Sequence, residues 1–249
     1  MEVQKELLTL LKEFDAVCQK EQIRYSISSG TLLGAVRHRG FIPWDDDLDV
    51  SMLRRDFEHL KRCIAAYPHL KLGKYLWLDR IQLTASVMAK ENNVPAMDVF
   101  IWDNIPDNAF SAKMKYFAIA FLQGMLKESP NYRRFSFAEK VFSFVSSVTG
   151  RLFKKSTILC WYEKVAQWGN GKATRHLGGW HDQFHALRFV YAPDLMDGIE
   201  RRTFEDTTVC SFADADGYLR MIYGNDYMCP PEKSKRKPHN LSYHVAAEP

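Results

Sequence analysis

The sequence predicts an α+β fold, a small mixed β-sheet with flanking helices joined to a helical subdomain. Three observations carry that prediction. Short β-prone runs alternate with amphipathic helices and one glycine turn over residues 1–110. A block of aromatic-rich helical sequence fills residues 111–170. Residues 171–249 then mix turn signals, short β-prone pieces and a late helix. The expected organisation is a catalytic core, a helical subdomain, and a C-terminal part that completes the site.

Each element has a local reason. Leu7, Leu8, Leu11, Phe14, Val17 and Cys18 recur at helical spacing, so residues 2–22 read as an amphipathic helix. Arg24–Ser28 is short and β-prone and ends at Ser29-Gly30. Thr31–Arg37 suits a short helix. Leu48–Met52 reads as the next strand, Asp56–Ala66 as a helix closed near Pro68, and Tyr75–Leu78 with Ile81–Ala89 as paired strands. Met97–Trp102 is an apolar strand with a single acid, Asp98.

Ala112–Lys127, Phe137–Phe153 and Ile158–Gln167 read as helices, flanked by Lys113, Lys115, Arg133, Arg134, Arg151, Lys154 and Lys155. A buried helical lobe with a solvated rim is the expected reading; contact with an anionic lipid surface is the alternative. Leu187–Tyr191 and Thr203–Glu205 are strand candidates. Ser211–Tyr223 reads as a helix with Ser211 as N-cap and Gly224 as its stop.

Composition excludes several classes. A formal charge of +4 over 249 residues gives no footprint for nucleic acid. The five cysteines, Cys18, Cys63, Cys160, Cys210 and Cys229, form no CxxC pair, so neither a zinc site nor a disulfide framework is indicated. No run reaches the length of a membrane span, and the N-terminus lacks an apolar signal core. The expected setting is cytoplasmic, with the inner face of the membrane as a place of work.

The chemistry concentrates in residues 28–50. Asp45, Asp46, Asp47 and Asp49 form a dense acidic cluster interleaved with Ile42, Trp44, Leu48 and Val50. Isolated acidic runs are usually solvated loops; this one carries too much apolar material for that. On an extended segment alternate side chains share a face, so Asp45, Asp47 and Asp49 can point the same way. Such carboxylates repel unless a hard cation neutralises them, and Mg²⁺, with Mn²⁺ as alternative, prefers oxygen ligands. Asp98 is the candidate for a further carboxylate. The metal set is then Asp45, Asp47, Asp49 and Asp98, with Asp47, Asp49 and Asp98 in catalytic roles.

Upstream, Ser29-Gly30-Thr31 can bring backbone N–H groups to a phosphate at a helix N-terminus. Arg37 and Arg39 can add positive charge for a diphosphate; His38 reads as a loop residue. His176, His181 and His185 do not make a metal site by spacing, since no Glu lies between the last two as in a zincin.

These residues resemble the LicD family, which includes relatives of fukutin and the fukutin-related protein. The likeness runs through Ser29-Gly30-Thr31-Leu32-Leu33-Gly34, Arg37-His38-x-Gly40-Phe41-Ile42-Pro43-Trp44-Asp45-Asp46-Asp47-Leu48-Asp49-Val50 and Asp98-Val99-Phe100. It returns at Tyr218-Leu219, Tyr223-Gly224-x-Asp226-Tyr227-Met228 and Pro230-Pro231, followed by a basic segment and His239. The resemblance implies a nucleotidyltransferase-like fold. It also implies transfer of a phospho-alcohol, above all phosphocholine from CDP-choline, to a sugar hydroxyl of a lipopolysaccharide, teichoic acid or capsule glycan, releasing CMP.

Other CDP-alcohols, CDP-glycerol or CDP-ribitol, are alternative donors, and the acceptor is a glycan or lipid-linked glycan. Carried over, Asp47 and Asp49 fill the Asp-x-Asp positions, Asp45 adds an acid and Asp98 is the distant carboxylate. Gly30 and Thr31 fill the phosphate turn. Tyr223, Tyr227, Arg236 and His239 either close over the donor or pack the subdomain. Two readings stand against this one: nucleotidyl transfer with release of pyrophosphate, and a non-catalytic glycan- or membrane-binding module.

Overall fold

The structure, a computed structural model, describes residues 2–73, 76–77, 80–81, 83–91, 96–127, 136–181, 184–236 and 238; at 76–77, 80–81 and 184–185 it describes the backbone alone. The chain divides into two compact units. The first comprises Met1–Tyr75, Leu83–Trp102 and Pro193–Pro249, and the second Leu76–Gln82 and Asp103–Ala192.

In the first unit, α1 (Glu2–Lys20) buries Leu7, Leu10, Leu11, Phe14, Val17 and Cys18, close to the stripe the periodicity predicts. Then come β1 (Ser26–Ile27), α2 (Ser29–His38), β2 (Asp49–Leu53) and α3 (Arg54–Cys63), which tightens into a 3₁₀ turn at Ile64–Ala66. β3 (Leu70–Gly73) is followed by two short paired strands, β4 (Leu76–Trp77) and β5 (Arg80–Ile81), in the second unit. β6 (Ala85–Ala89) and β7 (Ala96–Ile105) complete the acidic part of the sheet. The pairing expected between Tyr75–Leu78 and Ile81–Ala89 is split: β6 pairs β3, and β4 pairs β5. Tyr75 and Leu78 lie outside the described residues.

The second unit holds α4 (Ala109–Met125), α5 (Phe137–Gly150) and α6 (Lys155–Ala166), then a hairpin of β8 (His176–Gly179) and β9 (Val190–Tyr191). The chain then returns to the first unit with β10 (Ile199–Phe204), β11 (Thr207–Phe212) and α7 (Ala215–Tyr223). The strand order in the first unit is β10-β11-β1-β2-β7-β6-β3. β2 runs parallel to β7, β1 parallel to β11, and the other pairs are antiparallel. This is the mixed sheet expected of an α+β chain.

The late helix is a correction. Residues read as one helix from Ser211 are a strand to Phe212 and then a helix capped by Asp214, whose side chain accepts from the Gly217 N–H at 2.9 Å. Val209 and Phe212 are fully buried and bind the strand to the core; tertiary packing outweighs the local helical signal. Likewise Phe184–Arg188 is a 3₁₀ turn, not the start of a strand.

A partly buried network ties α1 to β10. Arg201 donates from both guanidinium nitrogens to the two carboxylate oxygens of Asp15, at 2.6 and 2.8 Å. The Tyr25 hydroxyl and Gln19 amide add to the same carboxylate, at 2.5 and 2.6 Å. In the second unit Lys115, expected on a basic rim, is instead fully buried. Its ammonium donates to the carbonyls of Asn104, Ala166 and Trp168 at 2.7–2.8 Å, capping the C-terminal end of α6. Among the described residues no helix is long and apolar enough to cross a membrane.

Candidate active site

The site grows from the junction of β1, α2 and β2. Ser28 is extended, Ser29 takes a left-handed φ of 46°, and α2 starts there. The Ser28 N–H donates to the Asp49 carbonyl at 3.0 Å. The Asp49 N–H in turn donates to the Thr31 hydroxyl oxygen at 2.8 Å. The backbone of Asp49 is thus held on both sides by the turn. Thr31 therefore serves first to place Asp49, a role that the phosphate-turn reading did not anticipate.

Gly30 faces the acids. A Cβ at that position would lie 2.9 Å from Asp45 Oδ2 and 4.0 Å from Asp47 Oδ1. The missing side chain leaves room for the Asp45 carboxylate against the first turn of α2, where the helix dipole favours negative charge. Asp45–Leu48 is loop, and β2 begins at Asp49, so strand alternation does not by itself bring Asp45 and Asp47 together. The loop does so, stapled by Gln4, whose amide donates to the carbonyls of Ile42 and Asp45 at 3.1 and 2.8 Å.

Asp98 enters from β7. It is the register partner of Asp49 on β2 and of Ser86 on β6. The Ser86 hydroxyl donates to Asp98 Oδ1 at 2.9 Å. One row across three strands therefore reads Asp49, Asp98, Ser86. The neighbours Val50, Met97 and Val99 are fully buried and fix which face carries the row.

The electrostatics are those of crowded acids. Burial, the neighbouring Asp47 and a hydrogen bond to it, and Asp46 push the Asp45 carboxyl up to about 8. Crowding thus favours the protonated form of Asp45 beside Asp47. Tyr223 of α7 is 44% exposed as a residue. Burial, then the nearby Asp49, Tyr218, Asp45 and Asp47, nonetheless push its phenol upward.

A cationic flank completes the geometry. Burial and the charge of Arg236 lower the Arg37 guanidinium, while Tyr223 and Asp45 act in the opposite direction. Arg37 also donates to the Tyr227 carbonyl at 3.1 Å. The Arg236 guanidinium lies 5.0 Å above the Trp44 ring, and the edge of His38 meets the same ring at 6.2 Å. Two arginines therefore stand beside the loop that bears Asp45.

Not every expected residue reaches this place. Arg39 ends α2 in the left-handed conformation with an exposed side chain, acting as a helix cap. Tyr227 is buried, with its hydroxyl donating to Asp216 at 2.6 Å, so its ring packs the C-terminal segment. His239 lies outside the described residues. In the second unit His181 is buried and bonded to Glu163 at 2.9 Å; the side chain of His185 is not described.

Sequence reasoning missed Gln4, Ser86 and Glu205, and it named Tyr218 in the late motif without a role. The Tyr218 hydroxyl accepts the Ser29 N–H at 3.3 Å. Glu205, in the β10–β11 turn, accepts from the Phe41 N–H at 2.9 Å and donates its own N–H to the Arg39 carbonyl at 2.8 Å. Ser86 had a signal: like Asp98, it is a lone polar residue in an apolar strand. Gln4 and Glu205 had none, since each acts through contacts distant in sequence.

Carboxylates at the start of two parallel strands, beside a strand–turn–helix junction and two arginines, define a nucleotidyltransferase-type domain. Residues 22–156, just over half of the chain, match the family model described as LicD/FKTN/FKRP, nucleotidyltransferase domain, and the chain belongs to that family. It is 34% identical over 113 residues to the lipopolysaccharide cholinephosphotransferase LicD of Haemophilus influenzae, covering 40% of this chain and 43% of that protein. It is 28% identical over 139 residues to the ribitol 5-phosphate transferase FKRP of Mus musculus, covering 48% of this chain and 28% of that protein. An uncharacterized protein of Rickettsia prowazekii, RP689, is 45% identical over 64 residues, 26% of this chain and 24% of that protein. The matched segments span less than half the length of each of these relatives.

Proposed function

We propose that this chain transfers a phospho-alcohol from a CDP-activated donor to a hydroxyl of a glycan and releases CMP. The observation that carries the reading is the placing of Asp45 and Asp47 against Gly30 at the start of α2, beside the Asp49–Asp98 register pair. Burying so many carboxylates together is costly unless a cation joins them. The similarity to a cholinephosphotransferase makes CDP-choline the first donor to try, and the similarity to a ribitol 5-phosphate transferase makes CDP-ribitol the next.

The donor set is made of carboxylate oxygens, the ligand chemistry that a hard divalent cation prefers. Asp45, Asp47, Asp49 and Asp98 would hold Mg²⁺ or Mn²⁺. When bound, the ion would neutralise the diphosphate oxygens of the donor.

The remaining work belongs to the chain. Arg37 and Arg236 attract and orient the diphosphate and counter its charge beside the acids. Asp98, oriented by Ser86, takes the proton of the attacking sugar hydroxyl. The hydroxyl oxygen forms a bond to the alcohol-bearing phosphorus as the bond from that phosphorus to the CMP oxygen breaks, and the electron pair leaves with CMP. Trp44 and Tyr223 line the approach and exclude water from it. The five free cysteines fit a reducing compartment, which supports a cytoplasmic setting.

The test is to incubate the purified chain with Mg²⁺, a glycan acceptor and CDP-choline, CDP-ribitol or CDP-glycerol in turn, and to measure CMP. Release of CMP with one donor supports the reading. Pyrophosphate release from a nucleoside triphosphate, with no CMP from any CDP-alcohol, would replace it with nucleotidyl transfer.

A further inference from the structure

In the second unit α5 is amphipathic in the reverse sense. The buried residues of α5 are Ser143, Ser146, Ser147 and Gly150, all small. α4 meets them with Ala120 and Gly124, so closely that a Cβ on Gly124 would overlap the Ser146 side chain and one on Gly150 the Met125 backbone. α4 also buries Ile119, Leu122 and Met125, but a stripe of large apolar side chains on each helix points outward. On α4, Phe110, Met114 and Phe117 are 74%, 43% and 53% exposed, at i, i+4 and i+7; on α5, Phe137, Val141, Phe144 and Val148 are 83%, 46%, 60% and 42% exposed, at i, i+4, i+7 and i+11. The Phe117 and Phe142 rings meet at 5.4 Å and join the two stripes into one face.

A helix pair in water buries its large apolar residues and shows its polar ones. Small residues inside and aromatics outside is the packing of helices whose solvent is itself apolar, where close backbone approach supplies the attraction. Contiguous exposed apolar surface of this kind marks an interaction site. Its rim says what the partner is. Lys113, Lys140, Arg151, Lys154 and Lys155 are all exposed. The acids among the described residues from 109 to 168 are Glu139 and Glu163, and each is engaged locally, on Ser136 and on His181. An apolar face with a one-signed cationic rim complements an anionic lipid leaflet. A second copy of this chain would cover the aromatics but set lysines against lysines. At 17 and 14 residues, α4 and α5 are too short to span a bilayer.

We propose that the α4–α5 face docks on the surface of an anionic membrane, its aromatic stripes entering the acyl boundary and its lysines and arginine meeting lipid phosphates. The proposal rests on the second unit alone and is independent of the transferase reading: vesicle binding and CMP release are separate readouts, and either can fail without the other.

The experiment is flotation of the purified full chain with vesicles of phosphatidylcholine alone and of phosphatidylcholine with phosphatidylglycerol. The chain is expected to float with the anionic vesicles only. The double substitution Phe117→Asp with Phe144→Asp is expected to lower the bound fraction about tenfold while the far-ultraviolet circular dichroism is unchanged. Should that variant unfold, Lys154→Glu with Lys155→Glu serves in its place, with a similar loss expected. No flotation of the unsubstituted chain overturns the proposal. So does a dimer that the Phe→Asp pair dissociates, without vesicle binding, since a second copy would then be the occupant. Undiminished flotation of a folded variant overturns it as well.

Discussion

Asp49 and Asp98 are register partners on the parallel strands β2 and β7, and the Asp98 N–H donates to the Leu48 carbonyl at 2.8 Å. The two carboxylates are therefore neighbours by sheet geometry, roughly 5 Å apart at the backbone, and not by chance of rotamer. If both act on the donor, Asp49→Asn and Asp98→Asn should each lower CMP release at least about 100-fold with little change in melting temperature. Ser86→Ala should cost less, about 3–10-fold, because it only loosens the orientation of Asp98. Loss of activity in Ser86→Ala equal to that in Asp98→Asn would contradict this ranking.

Gly30 offers a steric test of the same site. An alanine there brings a methyl group to within 2.9 Å of Asp45 Oδ2. α2 tolerates alanine, so the helix itself should persist. We expect Gly30→Ala to reduce turnover about tenfold or more by displacing Asp45, with circular dichroism unchanged. Full activity in this variant would show that Asp45 is free to move without consequence.

Asp45 gives a pH signature. Its ordinary value is 3.8 and the folded protein raises it to about 8. Between those values the unfolded chain is ionised at this position while the folded one keeps its proton. Stability from this group is therefore full below about pH 4, falls as pH rises, and is lost above about 8. Asp45→Asn cannot ionise and can still donate to Asp47. In a metal-free buffer it should melt roughly 5 °C higher than the unsubstituted chain at pH 8.5 and at the same temperature at pH 4. Equal melting at both pH values would remove the crowded-acid account.

How far the sequence showed all this depends on the range of the interactions. The stripe of α1, the Gly30 turn and the lone acid of the Met97–Trp102 strand are local patterns, and each is legible from spacing. The β10–β11 hairpin was legible only in part: the Thr203–Glu205 candidate overlaps β10, but the end of β11 reads as helix. Ser211 and Phe212 look like the start of a helix by local signal, but Ser211 pairs with Ile27 and the Phe212 N–H donates to Ser26 Oγ at 2.8 Å, contacts made across some 185 residues. The same holds for Glu205 against Phe41 and for Tyr218 against Ser29. The aromatic helices are a different case: their hydrophobic period is clear, but a period does not say which apolar side chains end in a core, and Phe110, Phe117, Phe137 and Phe144 do not.

Arg37 and Arg236 should separate donor binding from chemistry. Both flank the loop of Asp45, and each charge lowers the cost of bringing a diphosphate beside the acids. Arg236→Ala should raise the KM for the CDP-alcohol about tenfold and leave kcat within about twofold, the pattern of lost ground-state binding. Arg37 carries a second duty, since it holds the Tyr227 carbonyl. Arg37→Lys keeps the charge but not the forked geometry, so it should weaken donor binding by a similar factor. Arg37→Ala should in addition lower the melting temperature by roughly 2–4 °C, about 1 kcal/mol for the lost hydrogen bond. A variant at Arg236 that lowers kcat alone would move this arginine from the binding of the donor to the transfer itself.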